Sequence, residues 1–155
     1  MKRHLLILCL LGSISVFSAV GPVSIQKIEL KHGWNLVTLT RPVIEASQGT
    51  FLLFQPMTYN PVRKCYVRCT HKEELKIGVG YWVYVDNAQP LELINDLGQA
   101  TWQTAALTRG WNLIGMTDNS SWQNQATIIW QWKDGKFKII TKEDLTVGQA
   151  YWVMY

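Results

Sequence analysis

The sequence predicts an all-β chain: a small β-barrel or β-sandwich made of two similar halves and preceded by a secretory signal peptide. Three observations carry this expectation. The string Gly-Trp-Asn-Leu occurs at residues 33–36 and again at 110–113. Short runs rich in β-branched and aromatic residues recur between turn residues. No segment carries a 3.6-residue apolar stripe, and only "PVIEAS" (42–47) could form a helical turn.

The first residues, "MKRHLLILCLLGSISVFSAVGP", open with Lys2, Arg3 and His4, continue through the apolar run Leu5 to Leu11, and reach small residues at Ser18 and Ala19. That order is the layout of a signal peptide, and its apolar part is too short to span a bilayer. A membrane anchor or a buried strand is the plainer alternative. Cleavage is expected after Ser18 or Ala19, so residues 1–19 form the leader; Cys9 lies inside the apolar run, which argues against lipidation. Without Lys2 and Arg3, the 15 basic residues fall to 13 against 11 acidic ones, a net charge of +2. No Lys/Arg cluster marks a phosphate-tracking face, so nucleic acid is not an expected partner. The mature part contains no apolar run of transmembrane length.

The repeat extends well beyond four residues. Gly33-Trp34-Asn35-Leu36-Val37 matches Gly110-Trp111-Asn112-Leu113-Ile114, and "HKEELKIGVGYWVYV" (71–85) matches "TKEDLTVGQAYWVMY" (141–155). Gly33 and Gly110 lie 77 residues apart and Gly78 and Gly148 lie 70 apart, so the first copy carries about seven extra residues, placed in "PVIEASQGT" (42–50). The expected division is a first repeat over 20–90 and a second over 91–155, forming one compact unit.

In order, "IELKHGWNLVTL" (28–39) reads as a strand with a bulge or bend at His32-Gly33. "IQKIEL" (25–30) stands where "WQTAAL" (102–107) stands. "FLLFQPMTY" (51–59) and "TIIWQW" (127–132) read as second strands. "NPVRK" and "KDGK" are turns, and Asp134-Gly135 between alternating residues is a strong hairpin signal. "CYVRC" (65–69) and "KFKII" (136–140) return, with Val67 and Cys69 aligned to Phe137 and Ile139. "HKEE" and "TKED" read as solvated linkers leading to the Gly-led strands "VGYWVYV" and "QAYWVMY"; "PLELI" (90–94) joins the halves.

A glycine before Trp suits a backbone that takes positive φ, and an Asn two residues on can close a turn with its side chain. Gly78 and Gly148 serve the turn into Tyr-Trp-Val. Trp34, Trp82, Trp111 and Trp152 are expected to anchor two equivalent core layers; a sugar-stacking platform is the alternative.

These motifs together, with Leu-x-x-Gly-x-x-Tyr-Trp-Val closing each copy, resemble a short β-repeat found in many exported bacterial proteins, in tandem or beside adhesion-like and fibronectin-like modules. The match is best over 107–155 and looser over 28–85. The resemblance implies an extracytoplasmic, non-catalytic module and carries over no functional residue.

Convergent catalytic groups are scarce. The mature part holds two histidines, His32 and His71. Cys65, Cys69 and His71 form C-x3-C-x-H, which matches neither haem-attachment nor paired zinc spacing. Cys65 and Cys69 are an even pair for an oxidising compartment, but four residues on a straight strand span roughly 13 Å, so a disulfide between them needs a bulge or turn. No cofactor and no metal are expected. Trp102, Trp122 and Trp132 fall outside the duplicated motifs. Trp122 lies in the polar stretch "TDNSSWQNQ" and, with Asn119 and Gln123, is the candidate contact residue; a side chain capping the core is the alternative.

The expected function is therefore an exported, non-catalytic β-module for protein–protein contact or attachment at the cell envelope, periplasmic or extracellular. A carbohydrate-binding module recognising polysaccharide is the alternative, and a metal- or redox-handling protein is a distant third.

Overall fold

The computed structural model describes residues 21–98 and 107–155; residues 1–19, expected to form a leader, and most of "WQTAAL" with Trp102 lie outside them. The elements are β1 (Val23–Leu30), β2 (Gly33–Thr38), α1 (Glu45–Leu53), β3 (Met57–Asn60), β4 (Cys65–Arg68), β5 (Gly80–Val85), β6 (Gln89–Asp96), β7 (Trp111–Gly115), β8 (Ile128–Lys133), β9 (Lys136–Ile140) and β10 (Ala150–Met154). The described chain is mostly β and forms three sheets without a closed barrel.

Two four-stranded antiparallel sheets share one connectivity, β2-β5-β3-β4 and β7-β10-β8-β9. Their registers correspond as well. Trp82 stands opposite Leu36 and Met57, and Trp152 opposite Leu113 and Trp130. In the hairpins Tyr59 pairs with Tyr66 and Trp132 with Phe137. This pairing aligns Tyr66 with Phe137 and Cys69 with Ile140, one residue away from the alignment expected from sequence. Cys69 keeps its expected core position and Cys65 its exposed place beside the turn.

Alternation along the strands gives each four-stranded sheet two apolar faces. On one face of the first sheet, Tyr81, Val83 and Val85 join Val37, Leu39 and Phe51 in a core roofed by α1 and the β1–β6 ribbon. Among the described residues, the second sheet turns Ile114, Ile129, Tyr151 and Val153 into a core that Trp122 covers. The opposite faces meet through Leu36, Trp82, Leu113 and Ala150.

The seam keeps Leu36 and Leu113, and Trp82 and Trp152, at equivalent positions, but two places in it leave no room for a second side chain. A Cβ on Gly115 would lie 2.0 Å from Thr38 Oγ1, and one on Gly80 would lie 2.8 Å from Leu113 Cγ. Thr38 and Gly115 hold corresponding register positions, as do Gly80 and Ala150. Backbone links tie the seam together: the Gly115 amide donates to Gly78 O at 2.7 Å, and Val37 bridges to Gln149 and Val79 to Ile114.

Several expectations are corrected here. The "PVIEASQGT" insertion opens a nine-residue helix, and "FLL" of the expected second strand ends it. Ser47 and Phe51, four residues apart, share its buried face. The two inward positions are too few to show as a periodic stripe, and a short apolar run does not separate helix from strand. The expected long strand over 28–39 is divided, because β1 leaves β2 at Lys31 and pairs with β6 along eight residues. The Gln26 side chain holds the ribbon to β2, donating to Thr38 O at 2.8 Å and accepting from the Thr40 amide at 3.2 Å. β6 runs across the expected boundary at residue 90, and Leu91 and Leu93 belong to the first core.

Candidate contact surface

Both Gly-Trp-Asn-Leu motifs start on a left-handed glycine, Gly33 at φ 91° and Gly110 at φ 102°. The side chain of Asn35 closes the bend, accepting from the Lys31 amide at 2.8 Å and donating to Lys31 O at 2.7 Å and to Gly33 O at 3.0 Å. Asn112 repeats this with Thr108 and Gly110 and adds the Thr108 hydroxyl. Gly78 and Gly148, at φ 69° and 88°, turn the chain into β5 and β10.

The four repeated tryptophans share the seam side but not the same depth. Trp82 is buried, Trp111 and Trp152 are half-buried, and Trp34 is 47% exposed. The expectation of four equivalent core anchors is corrected at Trp34, which lies near the open end of the face with Tyr84 beside it at 5.3 Å. Each deep indole crosses to the hairpin of the other sheet. Trp82 meets Trp132 at 5.1 Å and Phe137 at 6.1 Å, and Trp152 meets Tyr59 at 4.6 Å and Tyr66 at 6.1 Å. All four pairs are edge-to-face, the geometry that the ring quadrupole favours in packed aromatic clusters. The exposed pair Trp34–Tyr84 is also crossed, at 67°, and so forms no coplanar stacking surface.

Trp122 is 5% exposed, donates its indole N–H to Gly115 O at 3.1 Å and lies against Tyr151. The expected loop contact is thus a core lid, because the short 3-10 turn Trp122–Asn124 folds the ring inward. Gln123 buries a carboxamide oxygen that has no partner among the described residues. Asn119 is exposed at the rim of a small cavity beside Trp122.

Cys65 opens β4, Cys69 follows its last residue, and both are free thiols, so the possible disulfide between them is not formed. Burial, with Glu74 nearby, pushes the Cys69 thiol up to about 11. Among the described residues no three His, Cys, Asp or Glu side chains group to hold a metal, so the geometry required by the metal-handling reading is not met. The acidic "linkers" are capped 3-10 turns. The Glu74 carboxylate accepts from the Thr70 and His71 amides, and Asp144 from the Thr141 amide and hydroxyl. Those bonds hold both carboxyls below their ordinary range.

The feature that sequence reading missed is a charge asymmetry. Hairpin 57–69 carries Arg63, Lys64 and Arg68, and hairpin 128–140 carries Lys133, Lys136 and Lys138, with Asp134 as the single acid. Together they hold six basic residues and one acidic, so about +5 sits on two hairpins of a chain whose total is +4. None of the six is ion-paired among the described residues, and Asp134 is paired to Lys31 at 3.4 Å. Each hairpin ends its sheet, in β4 and β9, and exposes apolar side chains: Val62 and Tyr66 on one, Ile139 on the other. The signal was present as a bias toward Lys and Arg, but only the strand order shows that the biased segments are sheet edges.

Compared with known protein families, curated proteins and solved structures, the chain shows no match. Among the described residues no helix is long and apolar enough to cross a membrane.

Proposed function

We propose that this chain is an exported, non-catalytic contact module, built by duplication of one β-unit, that presents two basic, open-edged hairpins to a protein partner at the cell envelope. The supporting observation is the pairing of close packing with exposure. The aromatic seam holds each hairpin against the opposite sheet, while its edge strand, basic side chains and apolar tips face outward. An unpaired sheet edge lined with basic and apolar side chains offers a partner both backbone and side-chain contacts. The perturbed carboxyl and tyrosine groups serve structure: Glu74 and Asp144 cap turns, and Tyr81 and Tyr151 bond the chain at Lys76 and Thr146 from within the cores. Export is supported by residues 1–19, and N-terminal sequencing of the purified protein beginning at Ala19 or Val20 is the expected result.

The test is photocrosslinking in cells with the reactive side chain placed at Tyr66, at Ile139, and at Thr50 on α1 as control. Discrete crosslinked products from the hairpin positions and none from Thr50 are expected. A chain that crosslinks from neither hairpin is not this kind of module.

A second reading has one observation in its favour. Trp34 and Tyr84 border an open cleft of about 640 Å³ with Gln55, Arg68, Asp86 and Asn87 around it, the mixture of rings and polar groups that holds sugars. Quenching of tryptophan emission by envelope polysaccharides, lost in Trp34→Ala, would favour that reading.

A further inference from the structure

We propose that the open edge of β9 accepts an extended segment of the partner, alternating acidic and apolar residues, as an added β-strand. This rests on the contact-module reading and names the chemistry of the partner.

Asp134 and Gly135 both take left-handed conformations, φ 51° and 75°, the signature of a two-residue type I′ turn. In such a hairpin the flanking residues, Lys133 and Lys136, exchange both ladder bonds. Parity then turns the backbone N–H and C=O of Lys138 and Ile140 toward β8, and those of Phe137 and Ile139 outward. β9 is the last strand of its sheet, and these four outward groups have no backbone partner among the described residues. They are a template for strand addition.

The side chains choose the occupant. Phe137 touches the seam at Trp82 and Trp132, so Ile139, two residues on and 73% exposed, lies on the same face. Lys136 and Lys138 lie on the other. An added strand therefore meets lysines at alternate positions on one face and apolar groups on the other, which is matched by acidic and apolar residues in alternation. Lysine on an edge strand also opposes pairing with a second copy, because it sets ammonium groups against one another. The same two side chains thus repel self-association and favour an acidic strand. Glu143 and Asp144 follow β9, and Asp144 is turned back onto Thr141.

The experiment is fluorescence anisotropy of a labelled ten-residue peptide of alternating Glu and Val, titrated with the full chain. A peptide with the same composition in blocks, a Lys-Val peptide and dextran sulfate are the controls. Backbone amide exchange by NMR is read in parallel. We expect saturable binding of the alternating Glu-Val peptide alone, weakening as salt screens the lysines, with new protection at Phe137 and Ile139. Ile139→Pro removes an outward N–H and no bond to β8, so the hairpin survives while affinity falls by about tenfold or more. Lys136→Glu with Lys138→Glu should move the preference to the Lys-Val peptide. No binding, equal binding of the block peptide, or dextran sulfate binding that Ile139→Pro leaves intact would each overturn strand addition. Crosslinking from Tyr66 and Ile139 reads the contact-module proposal separately, so one can fail while the other stands.

Discussion

The two four-stranded sheets have the same strand order and the same pairing register, yet they are finished differently. The first is roofed by a helix and a two-stranded ribbon over a core containing Phe51, Leu91 and Leu93. Among the described residues the second is closed by Trp122, with Leu107, Met116, Ala126, Ile140 and Leu145 packed around the core. Where the sheets meet, Thr38 faces Gly115 and Gly80 faces Leu113 and Ala150. The comparison teaches that two sheets of the same strand order cannot carry the same side chains everywhere. Both sheets keep glycine, asparagine and tyrosine in the same tasks and the same Leu and Trp at the seam; only at Thr38/Gly115 and Gly80/Ala150 must one member be smaller.

The largest test of this contrast is Trp122→Ala against Trp34→Ala. Removing the lid of the second core should cost about 3–5 kcal/mol, while loss of the half-exposed Trp34 should cost less than about 1 kcal/mol. Denaturant unfolding of both variants checks this, and equal losses would mean that depth in the seam does not govern stability. Next is Gly115→Ala, whose methyl group collides with Thr38. A loss of about 3 kcal/mol is expected, with most of it recovered by adding Thr38→Gly. If the double variant is no better than the single one, the two positions do not share a space.

A smaller difference is expected between the two asparagines. Asn112 is buried and Asn35 is not, so Asn112→Ala should cost about 2–3 kcal/mol and Asn35→Ala about 1 kcal/mol, measured by thermal unfolding. The thiols should differ in rate rather than stability: Cys65 reacts with an alkylating reagent in the folded chain, and Cys69 only after unfolding.

The alkaline limb gives the last comparison. Burial raises the Cys69 thiol from 9.0 to about 11 and holds Tyr81 and Tyr151 above the usual 10.0. A group raised in the folded state ionises first in the unfolded chain. Its contribution is whole below the unfolded value and lost as pH rises toward the folded one. Stability should therefore decline from about pH 9 upward, and Cys69→Ala should soften the first part of that decline without altering it near pH 7. A flat profile between pH 8 and 11 would contradict the burial of these groups.

Much of this was legible from local chemistry. A glycine two residues before an asparagine, copied at a fixed offset, needs only its own turn to explain it, and Asp134-Gly135 makes its hairpin in the same way. The capped turns at Lys72–Glu74 and Lys142–Asp144 were visible as polar segments but not as caps, because the accepting carboxylate is identified only once the chain has bent. Helix α1 was hidden because its identity rests on Ser47 and Phe51 reaching a core assembled from β5 and β6, far away in sequence. Trp122 was misplaced for the converse reason: its neighbours are polar, and nothing local says that Gly115 O waits for its N–H.

The amino-acid sequence by itself determined most of the strands, the glycine-led turns and the duplicated motif, since these depend on backbone conformation and residues within a few positions of each other. Tertiary structure alone decided which face of each sheet carried the lid, which tryptophan stayed in water, and that two basic segments became open edges. Those outcomes depend on which surfaces remain after distant strands have packed, and burial is a property of the whole assembly rather than of any one segment.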